Sequence, residues 1–242
     1  MRIGVISDIH GNLEALSATL EALADVDHVV CLGDAVGYGA NPNECCHRLM
    51  TACRTAIRGN HDRAALDESL AEEFNNDARV AAFWTAEVLD RTSWFYLNAL
   101  PDVAEAGSAL LVHGAPSDPD GYVLCAEQAQ LEFFLMDAAV CFFGHTHLPE
   151  AYGYEASSAV ATPIGLTAGK PLRLASTTRY LLNPGSVGQP RDGDPRASCG
   201  VYDEQVGTFE LRRVEYNVRR AQEKILRAGL PPFLASRLET GG

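Results

Sequence analysis

Nearly every side chain in this 242-residue sequence that could hold a metal ion or move a proton falls in five short clusters. They read Asp8-Ile9-His10, Gly33-Asp34, Gly59-Asn60-His61-Asp62, His113-Gly114 and Gly144-His145-Thr146-His147. Of the seven histidines, five lie in these clusters and only His28 and His47 fall elsewhere. Histidines placed for packing or solubility would not sort that way. Residues i and i+2 of a strand point to one face, so Asp8 and His10 can serve a single ion. His145 and His147 share that spacing, although a turn could aim them at different ions. Carboxylate, imidazole and side-chain amide together form a mixed nitrogen and oxygen shell, which suits Mn, Fe, Zn, Co or Ni better than Ca. The neighbouring glycines (Gly11, Gly33, Gly59, Gly114 and Gly144) let the backbone turn sharply and approach an ion closely.

Each cluster ends an apolar run, and those runs are the elements that must position it. Residues 3–6, 29–32, 55–57, 109–112 and 140–143 read as buried strands. In open α/β sheets, functional groups collect outside the carboxyl ends of the strands, which is where these clusters stand. Leu13, Leu16, Leu20 and Leu23 recur at helical spacing after the first cluster. A second helix starts at Pro42, with Asn41 as its N-cap and Glu44 three residues beyond the cap. Residues 63–100 read as mainly helical, with Trp84 and Trp94 as packing residues and Pro101 as the stop. A further helix spans about 126–136. From 150 to about 215, short strands alternate with Gly, Pro, Ser and Thr turns, and a helix containing Arg219, Arg220 and Lys224 closes the chain. No repeat or linker divides the sequence, so one domain over residues 1–242 is expected.

Bulk properties narrow the function classes. A hydrophobic content of 47% can build one substantial core. The first residues lack the apolar stretch of a secretion signal, and no apolar run nears the roughly 20 residues that cross a bilayer. A soluble, cytoplasmic protein is expected. The seven cysteines form no C-x-x-C pair, Cys45 and Cys46 are adjacent, and Cys31 and Cys141 sit in apolar runs, so reduced structural thiols are expected. A formal net charge of −13, with Lys170 and Lys224 as the only lysines, argues against long duplex nucleic acid as a partner. A small anionic substrate remains compatible, because bound divalent cations reverse the field locally.

The five clusters, complete and in order over residues 8–147, resemble the calcineurin-like metallophosphoesterase superfamily pattern of D-x-H, G-D, G-N-H-[DE], a lone H, and G-H-x-H. The stretch Asn183-Pro184-Gly185-Ser186-Val187-Gly188 is similar to the bacterial and archaeal small phosphodiesterase branch. The resemblance implies an α/β fold, a four-layer α/β/β/α sandwich with two central mixed sheets. It implies two divalent metal ions, manganese foremost, with Fe, Ni, Zn, Co or Mg as alternatives. Asp8, His10 and His147 would bind one ion and Asn60, His113 and His145 the other, with Asp34 bridging them. A hydroxide between the ions would attack phosphorus, His61 would protonate the leaving group or stabilise its charge, and Asp62 would orient His61. Hydrolysis of small phosphate esters follows, with phosphodiesters preferred. A phosphomonoesterase or protein phosphatase on the same site, and a non-catalytic scaffold of this fold, are the alternatives.

Other residues carry both a functional and a structural reading. Asn183-Pro184-Gly185 is either a plain turn or a loop beside the ions. Tyr38 and Arg191 are candidate substrate contacts, while His28 and His47 read as surface histidines. Residues that select the substrate are expected in 63–100 and in the loops after 114 and 183. Oligomerisation is left open by the sequence.

Overall fold

The structure is a computed structural model that describes residues 1–242. Two six-stranded mixed sheets pack face to face. The first contains β1 (Arg2–Ile6), β2 (His28–Cys31), β3 (Cys53–Ala56), β9 (Leu172–Arg173), β11 (Ala197–Asp203) and β12 (Thr208–Val214), in the order β3-β2-β1-β11-β12-β9. The second contains β4 (Val103–Ala106), β5 (Ala109–Val112), β6 (Val140–Phe142), β7 (Pro149–Glu155), β8 (Val160–Pro163) and β10 (Thr178–Pro184), in the order β4-β5-β6-β10-β7-β8. Strands β1, β2 and β3 run parallel, as do β5, β6 and β10. All the other pairings are antiparallel.

Successive residues of a strand point to opposite faces, so the unbroken apolar runs of the central strands β1, β2, β5 and β6 leave both of their faces apolar. Ile3, Val5, Val30 and Leu32 turn inward against Leu111, Val140, Phe142 and Leu182 of the second sheet. The outward set of the first sheet, including Ile6, Val29 and Cys31, packs under α1 (Leu13–Ala22), α2 (Pro42–Ala52) and α5 (Arg91–Ala99) through Leu16, Leu49 and Leu97. The outward set of the second sheet, including Val112, Cys141 and Leu181, packs under Ala129 and Phe133 of α6 (Ala126–Leu135). The result is the α/β/β/α sandwich that the resemblance implied. No helix is long and apolar enough to cross a membrane.

The region 63–100 is mainly helical as expected, and it divides into α3 (Asn60–Leu66), a 3₁₀ turn (Glu68–Glu73), α4 (Asn76–Val88) and α5. Several local expectations change. Trp84 is half-buried, but Trp94 is exposed and stacks edge-on with Phe95 rather than entering the core. Asn41 stands at the N-cap of α2 without capping through its side chain. Its Nδ2 donates to Glu44 and its Oδ1 accepts from Lys224 instead. The sequence pattern marks neither strand β4 nor the last helix, α8 (Pro232–Thr240), which follows α7 (Val218–Arg227) and packs back on it.

Candidate metal centre

The loops leaving β1, β2, β5 and β6, together with the start of α3, meet at one point between the sheets. Asp8, His10, Asp34, His113, His145 and His147 are all buried there, with Asn60 at the margin. The turns are tight. Asp8, His10, Asp34, His145 and His147 all have positive φ, between 48° and 66°. Tyr38 and Ala159 are the only other non-glycine residues in that conformation. Left-handed backbone is uncommon in residues with a Cβ and gathers where function over-determines it. Glycine is required for a different reason at position 59, where a Cβ would lie 2.1 Å from Asp34 Oδ1.

The imidazoles are tied from behind. His10 Nδ1 lies 3.0 Å from the Val36 carbonyl, His113 Nδ1 2.8 Å from that of Leu32, and His147 Nδ1 2.6 Å from that of Gln189. A carbonyl can only accept, so each Nδ1 carries a proton and each Nε2 of a neutral ring turns a lone pair inward. His10 Nε2 and His147 Nε2 face each other at 3.0 Å. Two bare lone pairs at that distance repel unless a cation lies against them. Asp8 Oδ1 and His145 Nε2 are likewise buried without a hydrogen-bond partner. Asp34 Oδ2 stands 3.5 Å from His10 Nε2 and 3.3 Å from His113 Nε2, while Asn60 Oδ1 is 3.1 Å from His113 Nε2.

Three overlapping sets of donors emerge: Asp8, His10 and His147; His10, Asp34 and His61; and Asp34, His113 and His145. Within each set the ligand atoms lie within 4.8 Å of one another. The donor chemistry and the orphaned inward atoms fit divalent cations. The electrostatics show the strain of leaving them together. Burial pushes His10 and His147 well below the ordinary histidine range, with nearby cationic groups adding to the shift. Burial also takes His145 down to about 3 and His61 to about 4. Burial raises Asp8 to about 6. At His113 burial is outweighed by the Asp34 charge and hydrogen bond, which lift it to about 9. At Asp34 it is outweighed by His113 and His61, which hold the carboxyl well below its usual range.

A family model described as the calcineurin-like phosphoesterase superfamily domain matches residues 1–206. The chain belongs to this superfamily. It is 36% identical over 245 residues to an uncharacterised protein of Methanocaldococcus jannaschii, covering 99% of this chain and 98% of that one. It is also similar to the crystal structure of a metallophosphoesterase from Sphaerobacter thermophilus. That match has 39% identity and a TM-score of 0.90, covering 100% of this chain and 99% of the other. A hypothetical protein from Pyrococcus horikoshii shares the fold at 21% identity and a TM-score of 0.80, with 100% of this chain and 98% of that chain covered.

Within this metallophosphoesterase fold, Asp62 does not do what the resemblance implied. Its Oδ1 accepts from the Val36 N–H and its Oδ2 from the Gly59 N–H, while His61 Nδ1 has no partner. Asp62 therefore pins two loops rather than orienting the His61 ring. Burial, with the Asp34 charge adding to it, raises its carboxyl to about 7. The 183–188 stretch resolves as a support. Asn183 Nδ2 donates to Gly144 O and Thr146 Oγ1, and Ser186 Oγ and the Gly188 N–H both donate to Asp8 O. His28 is half-buried at the start of β2, and His47 is exposed with its Nε2 3.2 Å from Asp90.

Tyr38 is buried, its ring 4.6 Å from His10 and 4.4 Å from His61. Arg191 donates to Gln189 Oε1 at 3.0 Å and to the Tyr38 hydroxyl at 3.4 Å, and its Nε is buried without a partner. Two aromatic residues that the sequence did not single out also touch the centre. Phe74 lies 4.6 Å from the His61 ring and Tyr122 lies 4.0 Å from the His145 ring. Both fall in stretches expected to select substrate, but no residue pattern within those stretches marked them.

Proposed function

We propose that this chain hydrolyses small phosphate esters, phosphodiesters foremost, with two divalent cations, manganese by preference. Asp8, His10 and His147 would hold one cation, Asn60, His113 and His145 the other, and Asp34 would serve both. The observation that carries this reading is the position of Asp34 Oδ2, 3.5 Å from His10 Nε2 and 3.3 Å from His113 Nε2, where one carboxylate oxygen faces both donor sets. When bound, such a pair of cations supplies Lewis acidity and makes water a competent nucleophile at neutral pH.

The remaining work falls to the protein's own side chains. His61 stands at the start of α3 beside Asp34, against the aromatic faces of Tyr38 and Phe74, where it can exchange a proton with the leaving oxygen. Arg191 approaches the His10 and His147 flank with an unpartnered Nε and can hold a phosphoryl oxygen. Tyr38 braces it. Retention of His61 and of every expected donor supports an enzyme over a scaffold. The unpaired cysteines support a reducing compartment such as the cytoplasm.

The deciding experiment is turnover of nitrophenyl phosphodiester and monoester by metal-stripped protein, with Mn, Ni, Zn and Mg added back separately. Metal-dependent diester hydrolysis, lost in Asp34→Asn, is expected. Hydrolysis confined to the monoester would assign a phosphatase instead. Absence of turnover with metal bound would overturn the hydrolase reading.

A further inference from the structure

One cavity of about 370 Å³ opens directly from the centre, bordered by Asn60 and His145. Its walls include Phe74 and Tyr122, each already in ring contact with a centre imidazole. The same aromatic faces that border the reacting position therefore continue outward along the cavity. A flat ring attached to phosphorus through its ester oxygen would lie against them, and offset ring stacking favours that placement.

Charge sets the second half of the specificity. Arg63 is the one cation in the lining, and it is already held by Asp102 at 3.3 Å and by Asp120. Glu73 and Asp120 add two carboxylates to the same cavity, and Glu73 is exposed to whatever enters. The lining thus carries one guanidinium engaged by Asp102 and Asp120, and one further carboxylate, Glu73, that the guanidinium does not hold. A second phosphate in this space would meet repulsion with no free cation to balance it. An amino group on a ring would find an acceptor.

We infer that this cavity is a leaving-group site for planar, uncharged or amine-bearing rings, and that it rejects esters whose leaving group carries further phosphates. The inference rests on the hydrolase reading above and deepens it. Substrates of the nucleoside monophosphate ester or aryl ester type fit; polyphosphate chains and acidic phosphopeptides do not.

The test is inhibition of nitrophenyl phosphodiester turnover by the manganese-loaded protein. Phenylphosphonate is compared with methylphosphonate, and adenosine monophosphate with both ribose 5-phosphate and adenosine diphosphate. The ring-bearing member should inhibit about tenfold more tightly in each ring comparison, and the diphosphate more weakly than the monophosphate. Tyr122→Ala should erase most of the ring preference. Tyr122 is 51% exposed, so its truncation leaves the fold intact, whereas Phe74→Ala also opens a packed cluster. Glu73→Gln should narrow the gap between mono- and diphosphate. Equal inhibition by phenyl and methyl phosphonates, or a ring preference unchanged in Tyr122→Ala, would overturn the inference while leaving the hydrolase reading standing. Loss of all turnover in the wild type would overturn both.

Discussion

At the level of single residues, the centre combines two costs that nothing in the protein alone relieves. Asp8, His10, Asp34, His145 and His147 hold left-handed backbone, at about 1 kcal/mol or more each for residues with a Cβ. Asp8 Oδ1 and His145 Nε2 then lack protein partners, and the Nε2 atoms of His10 and His147 face each other as like lone pairs. Both costs make sense if the surroundings fix the donors in advance for cations. The two adjacent residues His61 and Asp62 should separate cleanly under this view. His61→Ala should lower kcat about 10²–10⁴-fold while metal content stays near that of the wild type. Asp62→Ala frees the Gly59 and Val36 N–H groups, loosening the loops that carry Asn60 and Asp34. It should weaken metal affinity by about 10–100-fold and recover part of its turnover at high metal concentration. Metal titration beside steady-state kinetics distinguishes them. Identical behaviour of the two variants would return Asp62 to the role of orienting His61.

At the level of elements, the sequence made the site legible because most donor clusters close a strand whose apolar run is short and unambiguous, the one before Asn60 (Cys53–Ala56, with Arg54 and Thr55 inside it) being the exception. Ile3-Gly4-Val5-Ile6 leads to Asp8, and Val140-Cys141-Phe142-Phe143 leads to His145. Elements defined by tertiary contact were not legible. Strand β4 is a four-residue edge strand with two alanines, held by its antiparallel pairing with β5. Helix α8 begins at a Pro231-Pro232 pair that reads as a turn, and its helical face is defined by Leu234, Ala235 and Leu238 meeting α7. The role of Asp62 was hidden because backbone acceptors and donors leave no trace in residue types. Charged ties between distant elements were equally hidden. Asp25, after α1, binds Arg2 of β1 at 2.9 Å and Arg212 of β12 at 2.8 Å. Its hydrogen bonds and charge contacts with Arg212 and Arg2 hold its carboxyl well below the ordinary value of 3.8. A depressed folded value stabilises the fold above the unfolded value and is lost as pH falls below it. The carboxylate is 46% exposed and screened, so the tie contributes less than about 1 kcal/mol. Thermal melts should therefore show Asp25→Asn below the wild type at pH 6, with the gap closing as pH drops from 4 toward 2. A gap independent of pH would mean that packing, rather than charge, makes the difference.

At the level of the whole molecule, the family model ends at residue 206, yet α7 and α8 beyond it reach back to the centre. Lys224 and Arg220 of α7 bind Glu14 of α1 at 2.7 and 3.1 Å, anchoring the pair of helices over the first sheet's loops. Ile225, Leu234 and Leu238 then close around Tyr38, which touches both His10 and His61. The C-terminal helices are thus the outer wall of one flank of the site. Leu234 is 1% exposed and borders a small void shared with His10 and Tyr38. Truncating it to alanine enlarges that void beside the aromatic brace, and buried Leu→Ala changes cost about 2–5 kcal/mol. In a chain of this size that corresponds to a fall in Tm of roughly 5–15 °C. Tyr38 gains room to move, and with it Arg191, so KM for a small diester should rise several-fold while metal content holds. Leu234→Met conserves volume and should stay near the wild type in both measurements. Melting curves and Michaelis parameters for the two variants provide the check. A Leu234→Ala protein that melts early but keeps its KM would show that α8 supports the fold without shaping the site. A shift in both, restored by methionine, ties the end of the chain to the chemistry at its beginning.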